Sequence, residues 1–174
     1  MPPADPRKEW LKTRQPKIDQ ALKDQRAMLT AKKHELERWD KPDQENAKKW
    51  FGRADEATRK KLQRRVDASL ALNQKVTVDN FHPATPGEKA RFAYVYANDK
   101  DHKIYLDEAF DNAPPTGTDS RAGALSHEMS HFKDGGGTDD HVYGAENAKA
   151  LAVSHPGKAV DNADNYEYYL ENAH

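Results

Sequence analysis

The sequence contains no cysteine, so it can form no disulfide framework, thiolate zinc site, iron–sulfur cluster or cysteine nucleophile. Any metal it holds must be bound by His, Asp or Glu. Long apolar runs are missing as well: nothing approaches the roughly 18–20 residues that span a membrane, and the opening MPPADPRKEW has none of the apolar core of a signal peptide. Apolar residues are sparse overall, at 36% of 174 positions. So lean a composition tends to disorder when joined to a large net charge, but here the formal net charge is only −1. The length fits one domain over residues 1–174 with a small core.

The near-neutral total conceals a division. Residues 1–75 carry 20 Lys and Arg against 12 Asp and Glu, a net +8, whereas residues 76–174 carry 8 against 17, a net −9. In the basic part, after a Pro-rich start, Ile18, Leu22, Met28, Leu29, Leu36 and Trp39 recur at near-helical spacing and predict one long amphipathic helix, interrupted by Pro42. A short segment around Ala47–Phe51 ends at Gly52, and Leu62, Val66, Leu70 and Leu72 mark a second charged helix. Trp10, Trp39 and Trp50 are available as core anchors of this half. Beyond residue 76 the β-branched and aromatic runs KVTV, FAYVY and KIYL read as strands, with Phe92–Tyr96 and Ile104–Leu106 as an antiparallel pair. Ala122, Leu125, Met129 and Phe132 predict a helix over Asp119–Lys133, capped by Asp119 or Ser120 and ended by Gly135–Gly137. A last helical stretch from Gly144 to Val153 leads into an acidic, Tyr-rich end. The expected class is α+β, with N-terminal helices beside a small twisted sheet.

Within the predicted helix, His127-Glu128-Met129-Ser130-His131 has the H-E-x-x-H form. Residues four apart share a helix face, so His127 and His131 can offer two imidazoles to one ion, with Glu128 about 100° to the side. With eight His and eleven Glu in the chain, chance alone would produce such a motif in roughly two chains in a hundred, so further residues must carry the argument. A catalytic zinc needs a third protein ligand and an open position. Asp134, Asp140, His141 and Glu146 are candidates; spacing does not choose among them, although Gly135–Gly137 lets the chain reverse towards the ion. A third histidine at H-E-x-x-H-x-x-G-x-x-H spacing would fall at Gly137, which excludes that class.

Gly137-Thr138-Asp139-Asp140-His141-Val142-Tyr143-Gly144 resembles the G-T-x-D-x-x-Y-G signature that follows H-E-x-x-H in the aspzincins, the deuterolysin-like metalloendopeptidases. The likeness extends through Phe92–Tyr96, Thr116–Ser120 and Ala122-Gly123, and more weakly to Trp50-Phe51-Gly52. It implies a zincin-like core with one zinc ion held by His127, His131 and Asp140, Glu128 as proton carrier, and Tyr143 lining the cleft beside the transition state. Asn162-Ala163-Asp164-Asn165-Tyr166-Glu167-Tyr168 is similar to the N-A-D-N-x-E-Y segment of the peptidyl-Lys branch, which implies that Asp164 and Glu167 line the pocket for a lysine just after the cut bond. Two carboxylates three residues apart on a helix can converge on one ammonium.

The expected function is therefore a zinc endopeptidase acting on proteins or peptides on the amino side of lysine, as a monomer, with neither nucleic acid nor membrane as partner. A protease of broader specificity is one alternative. A non-enzymatic binding module with a degenerate metal motif is another, opposed by basic residues that interleave with acids and lack aromatics for base stacking. The resemblance implies secretion or export, with no signal peptide in this chain. Asp107, where the secreted relatives commonly show Cys, leaves a cytoplasmic location open. His34, His82, His102, His155 and His174 read as surface residues, and His141 is left without a role. Twelve of the 18 lysines lie in residues 1–75, and folding is expected to shield them from self-cleavage.

Overall fold

The fold is that of a computed structural model describing residues 1–86 and 92–173. Three helices open it: α1 (Pro6–Arg38), α2 (Lys41–Phe51) and α3 (Glu56–Lys75). Short strands β1 (Phe81–Pro83), β2 (Ala93–Val95) and β3 (Ile104–Leu106) follow, then α4 (Glu108–Asn112) and α5 (Arg121–Ser130). The chain ends with α6 (Ala145–Ser154), α7 (Pro156–Ala159) and α8 (Ala163–Glu171). The architecture is α+β.

The long helix obeys its apolar pattern. Ile18, Ala21, Gln25, Leu29, Lys32 and Leu36 form its buried stripe, at spacings of three and four that keep one face inward. It starts earlier than the prolines suggest: Asp5 caps it, Pro6 fills the first position, and Pro16 lies inside it. Pro is tolerated at a helix start because the missing N–H has no partner there. The break falls at Trp39, which is left-handed at φ 52°, and Pro42 sits in the first turn of α2 rather than ending α1.

The three described strands run in the order β1-β3-β2. β2 and β3 are antiparallel as expected, with Tyr94 opposite Tyr105. KVTV is not a strand: α3 runs on to Lys75, and Val78 opens a 3-10 turn over Val78–Asn80. The third strand is β1, parallel to β3. Asp107 caps α4, its side chain accepting from the Glu108 N–H.

Two large apolar clusters fill most of the interior among the described residues, with a small third one at Leu151, Ala152 and Ala159. One joins α1, the sheet and α5 through residues such as Ile18, Phe81, Ile104, Leu125 and Met129. The other joins α1, α2, α3 and α8 through Leu36, Trp50, Val66, Tyr166 and Tyr169. Trp50 is fully buried and stacks on Tyr168 with centroids 5.3 Å apart, whereas Trp10 and Trp39 are only partly buried. Buried amides bind α1 to the helices it crosses. Gln25 donates to Ser126 Oγ of α5 at 3.2 Å and accepts from Asn73 Nδ2 of α3 at 2.8 Å. No helix among the described residues is long and apolar enough to cross a membrane.

Candidate active site

α5 positions the first group. Ser120 caps it, accepting from the Gly123 N–H at 2.9 Å, and the helix ends at Ser130, earlier than its apolar stripe suggests. Leu125 and Met129 face the core, while His127, Glu128 and His131 face a cleft of about 700 Å³. The chain then turns back through a 3-10 turn and Gly136-Gly137, both at positive φ. Thr138 N–H reaches Ser130 O at 2.9 Å, and Asp139 forms an isolated parallel bridge with Asn162. This reversal returns Asp140 to the histidines. All seven residues singled out from the sequence, Tyr143, Asp164 and Glu167 included, line this one cleft. Asp134 instead pairs with His102 at 2.9 Å, and Glu146 points to solvent at 91% exposure.

Three donor atoms converge. Oδ1 of Asp140 lies 3.1 Å from Nε2 of His127 and 3.2 Å from Nε2 of His131. A tetrahedral ion with bonds of about 2.0–2.2 Å separates its ligands by about 3.3–3.6 Å, so both Asp140 contacts stand within a few tenths of an ångström of a zinc shell, and ligand atoms of His127 and His131 lie within 4.8 Å of one another. The far nitrogens strengthen the fit. His131 Nδ1 lies 2.9 Å from the Thr138 carbonyl, which can only accept, so the proton sits on Nδ1 and the Nε2 lone pair is free. That Nε2 is buried and makes no hydrogen bond. His127 Nδ1 faces the Asp164 carboxylate at 2.7 Å, which favours the same tautomer. The N,N,O donor set, free of sulfur, suits zinc.

Burial and charge set the proton affinities. Burial pushes the Glu128 carboxyl up to about 7, with the neighbouring imidazoles pulling the other way. Burial would also raise Asp140, but in their protonated form the two facing imidazoles outweigh it and hold Asp140 well below the usual carboxylate range. Tyr143 is about half exposed at the cleft mouth rather than a core residue, and partial burial plus the nearby Asp140 carboxylate raise its phenol.

A second acidic group lies behind the first. Asp164 and Glu167 belong to α8, where every residue from Ala163 to Leu170 is buried. Burial, then the neighbouring Glu171, push Glu167 well above the carboxylate range. Glu171 accepts from Ser120 N–H and Oγ at 2.8 Å each. Tyr168 donates to Asp119 at 2.8 Å, with Asp119 held at φ 53°. α8 can approach α5 this closely because Gly123 has no side chain: a Cβ there would run into the Glu171 carboxylate and come within 3.0 Å of Glu167 Cγ. The outer strand β2 forms the facing wall, with Phe92 at its start.

Several residues at the cleft escaped the sequence reading. Asp119 reads from the sequence as a helix cap and as one residue of the Thr116–Ser120 likeness, and its φ and its Tyr168 contact carry no local signal. Asn162 and Thr138 were read only as letters of longer motifs, yet both hold the cleft together. His102 is not a plain surface residue: its side chain is 16% exposed, packs edge-on against Phe132 and faces Asp134. His34 and His155 are exposed as expected, His82 is half-buried, and His174 lies outside the described residues.

Comparison with known proteins identifies the family. The aspzincin M35 family model, described as lysine-specific metallo-endopeptidase, matches residues 37–171. An extracellular protease of Aeromonas hydrophila is 43% identical over 141 residues, 76% of this chain and 37% of that protein. A peptidyl-Lys metalloendopeptidase of Grifola frondosa is 58% identical over 81 residues, 47% of this chain and 23% of that protein. The chain thus spans well under half the length of these curated relatives. The solved structure of a zinc peptidase from Grifola frondosa superposes with a TM-score of 0.78 at 33% identity, covering 92% of this chain and 95% of that one. With more than three quarters of its residues inside the family match, the chain belongs to the aspzincin M35 family.

Proposed function

We propose that this chain is a single catalytic domain, a zinc endopeptidase that cuts peptide bonds on the amino side of lysine. The observation that carries the reading is the convergence of His127 Nε2, His131 Nε2 and Asp140 Oδ1 beside Glu128 in one cleft. These three side chains would hold a single ion. Bound there, zinc supplies Lewis-acid polarisation and a nucleophile at neutral pH. Glu128, on the α5 active-site helix, takes the proton from the attacking water and delivers it to the leaving amine. Its burial in the cleft raises its hold on a proton, which suits a group that takes one up and passes it on. Tyr143, at the cleft mouth, donates its hydroxyl to the developing oxyanion. The substrate lies extended along β2, the outer strand of the described sheet, adding its backbone to the edge.

Lysine selectivity rests on charge. An ammonium leaving water needs carboxylate partners, and Glu167 and Asp164 line the end of the cleft nearest His127. The enzyme acts outside the cell as a monomer, in line with the extracellular relative. All twelve lysines of residues 1–75 lie in α1, α2 or α3, and only the bond before Lys41 starts from an extended residue, Asp40, so the helices withhold the other eleven from the extended form the cleft takes and the folded protein resists its own activity.

The test pairs metal analysis with cleavage mapping. The purified chain is expected to hold one zinc per molecule and to release peptides from a denatured protein with lysine at the new N-termini, read by mass spectrometry. Glu128→Ala is expected to keep the zinc and lose about 10²–10⁴-fold in rate. A fully active Glu128→Ala protein would sink the mechanism, and termini with no lysine bias would leave a protease of broader specificity.

A further inference from the structure

We propose that Asn162 and Asp164 are positioning residues of the metal centre: together they clamp both arms of the ligand set, the Asp140 loop and the His127 ring. The inference rests on the ligand assignment above.

The loop bearing Asp140 is irregular and has no helix or sheet to hold it. Its neighbours on both sides are tied to the turn before α8. On one side, the Asp139 N–H donates to Asp161 O and the Asp139 carbonyl accepts from the Ala163 N–H, both at 2.9 Å. On the other, Asn162 Oδ1 accepts from the N–H groups of His141 and Val142 at 2.7 and 3.3 Å, and Asn162 Nδ2 donates to Val142 O at 3.1 Å. Asn162 is fully buried. Its amide is itself held by Asn165, which donates onward to the carbonyls of Trp50 and Ala148. Asp140 is therefore presented from a loop anchored at residues 139, 141 and 142.

Asp164 completes the clamp with both oxygens. Oδ1 faces His127 Nδ1 at 2.7 Å, and Oδ2 accepts from the Gly144 N–H at 2.7 Å, closing the far end of the same loop. A carboxylate behind a ligand imidazole fixes its tautomer and ring plane and raises its basicity, and loss of such a partner commonly weakens metal binding about 10–100-fold. With both oxygens occupied, Asp164 reaches a substrate ammonium only as a shared charge, and Glu167 is the less committed carboxylate of the pair.

Zinc affinity of the full chain, measured by competition with a chromogenic chelator, separates this role from one in the lysine pocket. Asp164→Asn keeps an acceptor for His127 but cannot accept from Gly144, and is expected to bind zinc 10–100-fold more weakly. Its rate loss should be largely restored by excess zinc, on lysine and non-lysine substrates alike. Asn162→Ala should weaken zinc binding similarly, and Asn162→Asp, which keeps the acceptor for His141 and Val142, should fall between it and wild type. Glu146→Gln removes an exposed carboxylate near the same loop and should leave zinc affinity unchanged. If Asp164→Asn binds zinc within about twofold of wild type and loses only lysine preference, the proposal is overturned while the ligand assignment stands. A wild-type chain that retains no zinc overturns the assignment itself.

Discussion

Of the 33 residues of α1, six are buried; of the nine in α8, eight are. Both helices are polar in composition, but they use polarity in opposite ways. In α1 the charged residues mostly face water and pair at short range along the surface, as Lys12 does with Glu9, so the buried stripe stands out by period alone. In α8 the polar groups point inward from every side. Asp164 meets His127, Asn165 meets Trp50 and Ala148, and Glu171 meets Ser120. Burying such groups is tolerable only where each has a partner, and most of those partners belong to other elements.

The contrast carries over to the two charge territories. The basic half is a scaffold for the acidic one. Arg65 of α3 donates to the Val160 carbonyl and to Asp161 beside the Asn162 turn, and buried Lys32 of α1 reaches Asn172 at 2.6 Å just beyond α8. Cations of residues 1–75 thus meet the carbonyls and carboxylates of the turn and helix that support the cleft. Opposite charge adds to the apolar clusters that join the two halves.

Glu167→Gln should separate the two helices most sharply. Removing the less committed pocket carboxylate is expected to cut kcat/KM on a lysine substrate by about 10–100-fold, the worth of a charged hydrogen bond, while sparing zinc. Stability should move the other way. Burial and Glu171 raise Glu167 well above its unfolded value of about 4.3, so the folded state favours the protonated form. The stabilisation from that proton is complete below about pH 4 and lost as pH rises through the folded value. The glutamine, which never ionises, should raise Tm by a few degrees at pH 8 and leave it unchanged at pH 4, as read by thermal scans. An equal shift at both would mean that packing, not charge, dominates this helix.

Gly123→Ala tests the close approach that lets α8 serve the site. The added methyl meets a Glu171 carboxylate already held by Ser120 and Asp119, so it cannot simply swing aside. Overpacking of about 1–3 kcal/mol outweighs the gain of roughly 1 kcal/mol in helix propensity, and denaturant unfolding should show a net loss. A stabilised variant would show that α8 can move away from α5. At the other end of the scale, Lys33→Ala on α1 removes an exposed partner of Asp67 and should shift Tm by less than about two degrees, since such pairs contribute little. A large shift would contradict the description of α1 as a solvated scaffold.

Sequence pattern was informative wherever local physics decided the outcome. The α1 and α3 stripes, the β2–β3 pair, the Ser120 cap and α6 all follow from period, capping and turn chemistry, and α5 differs from its expected span only at its ends. β1 was missed because a three-residue strand containing Pro83 shows no alternation, and its parallel partner β3 lies more than 20 residues away. KVTV was misread because its β-branched residues close α3 and open a tight turn instead. α8 reads as an acidic end because its acids and amides interleave with the core tyrosines and both sets are buried, so no exposed polar face sets off an apolar one.

The sequence by itself determined that no thiolate could hold a metal, that the chain divides into basic and acidic parts, and that His127, Glu128 and His131 share a helix face. It also determined, through two motifs in register, which family the chain joins. Spacing left Asp134, Asp140, His141 and Glu146 open and the resemblance implied Asp140; the tertiary structure brings Asp140 to both imidazoles, and only it decided that Asp164 stands behind His127. Helix period relates residues within one turn or two, whereas a donor returning after a glycine reversal, or a carboxylate arriving from another helix, is located only by the packing of the whole chain.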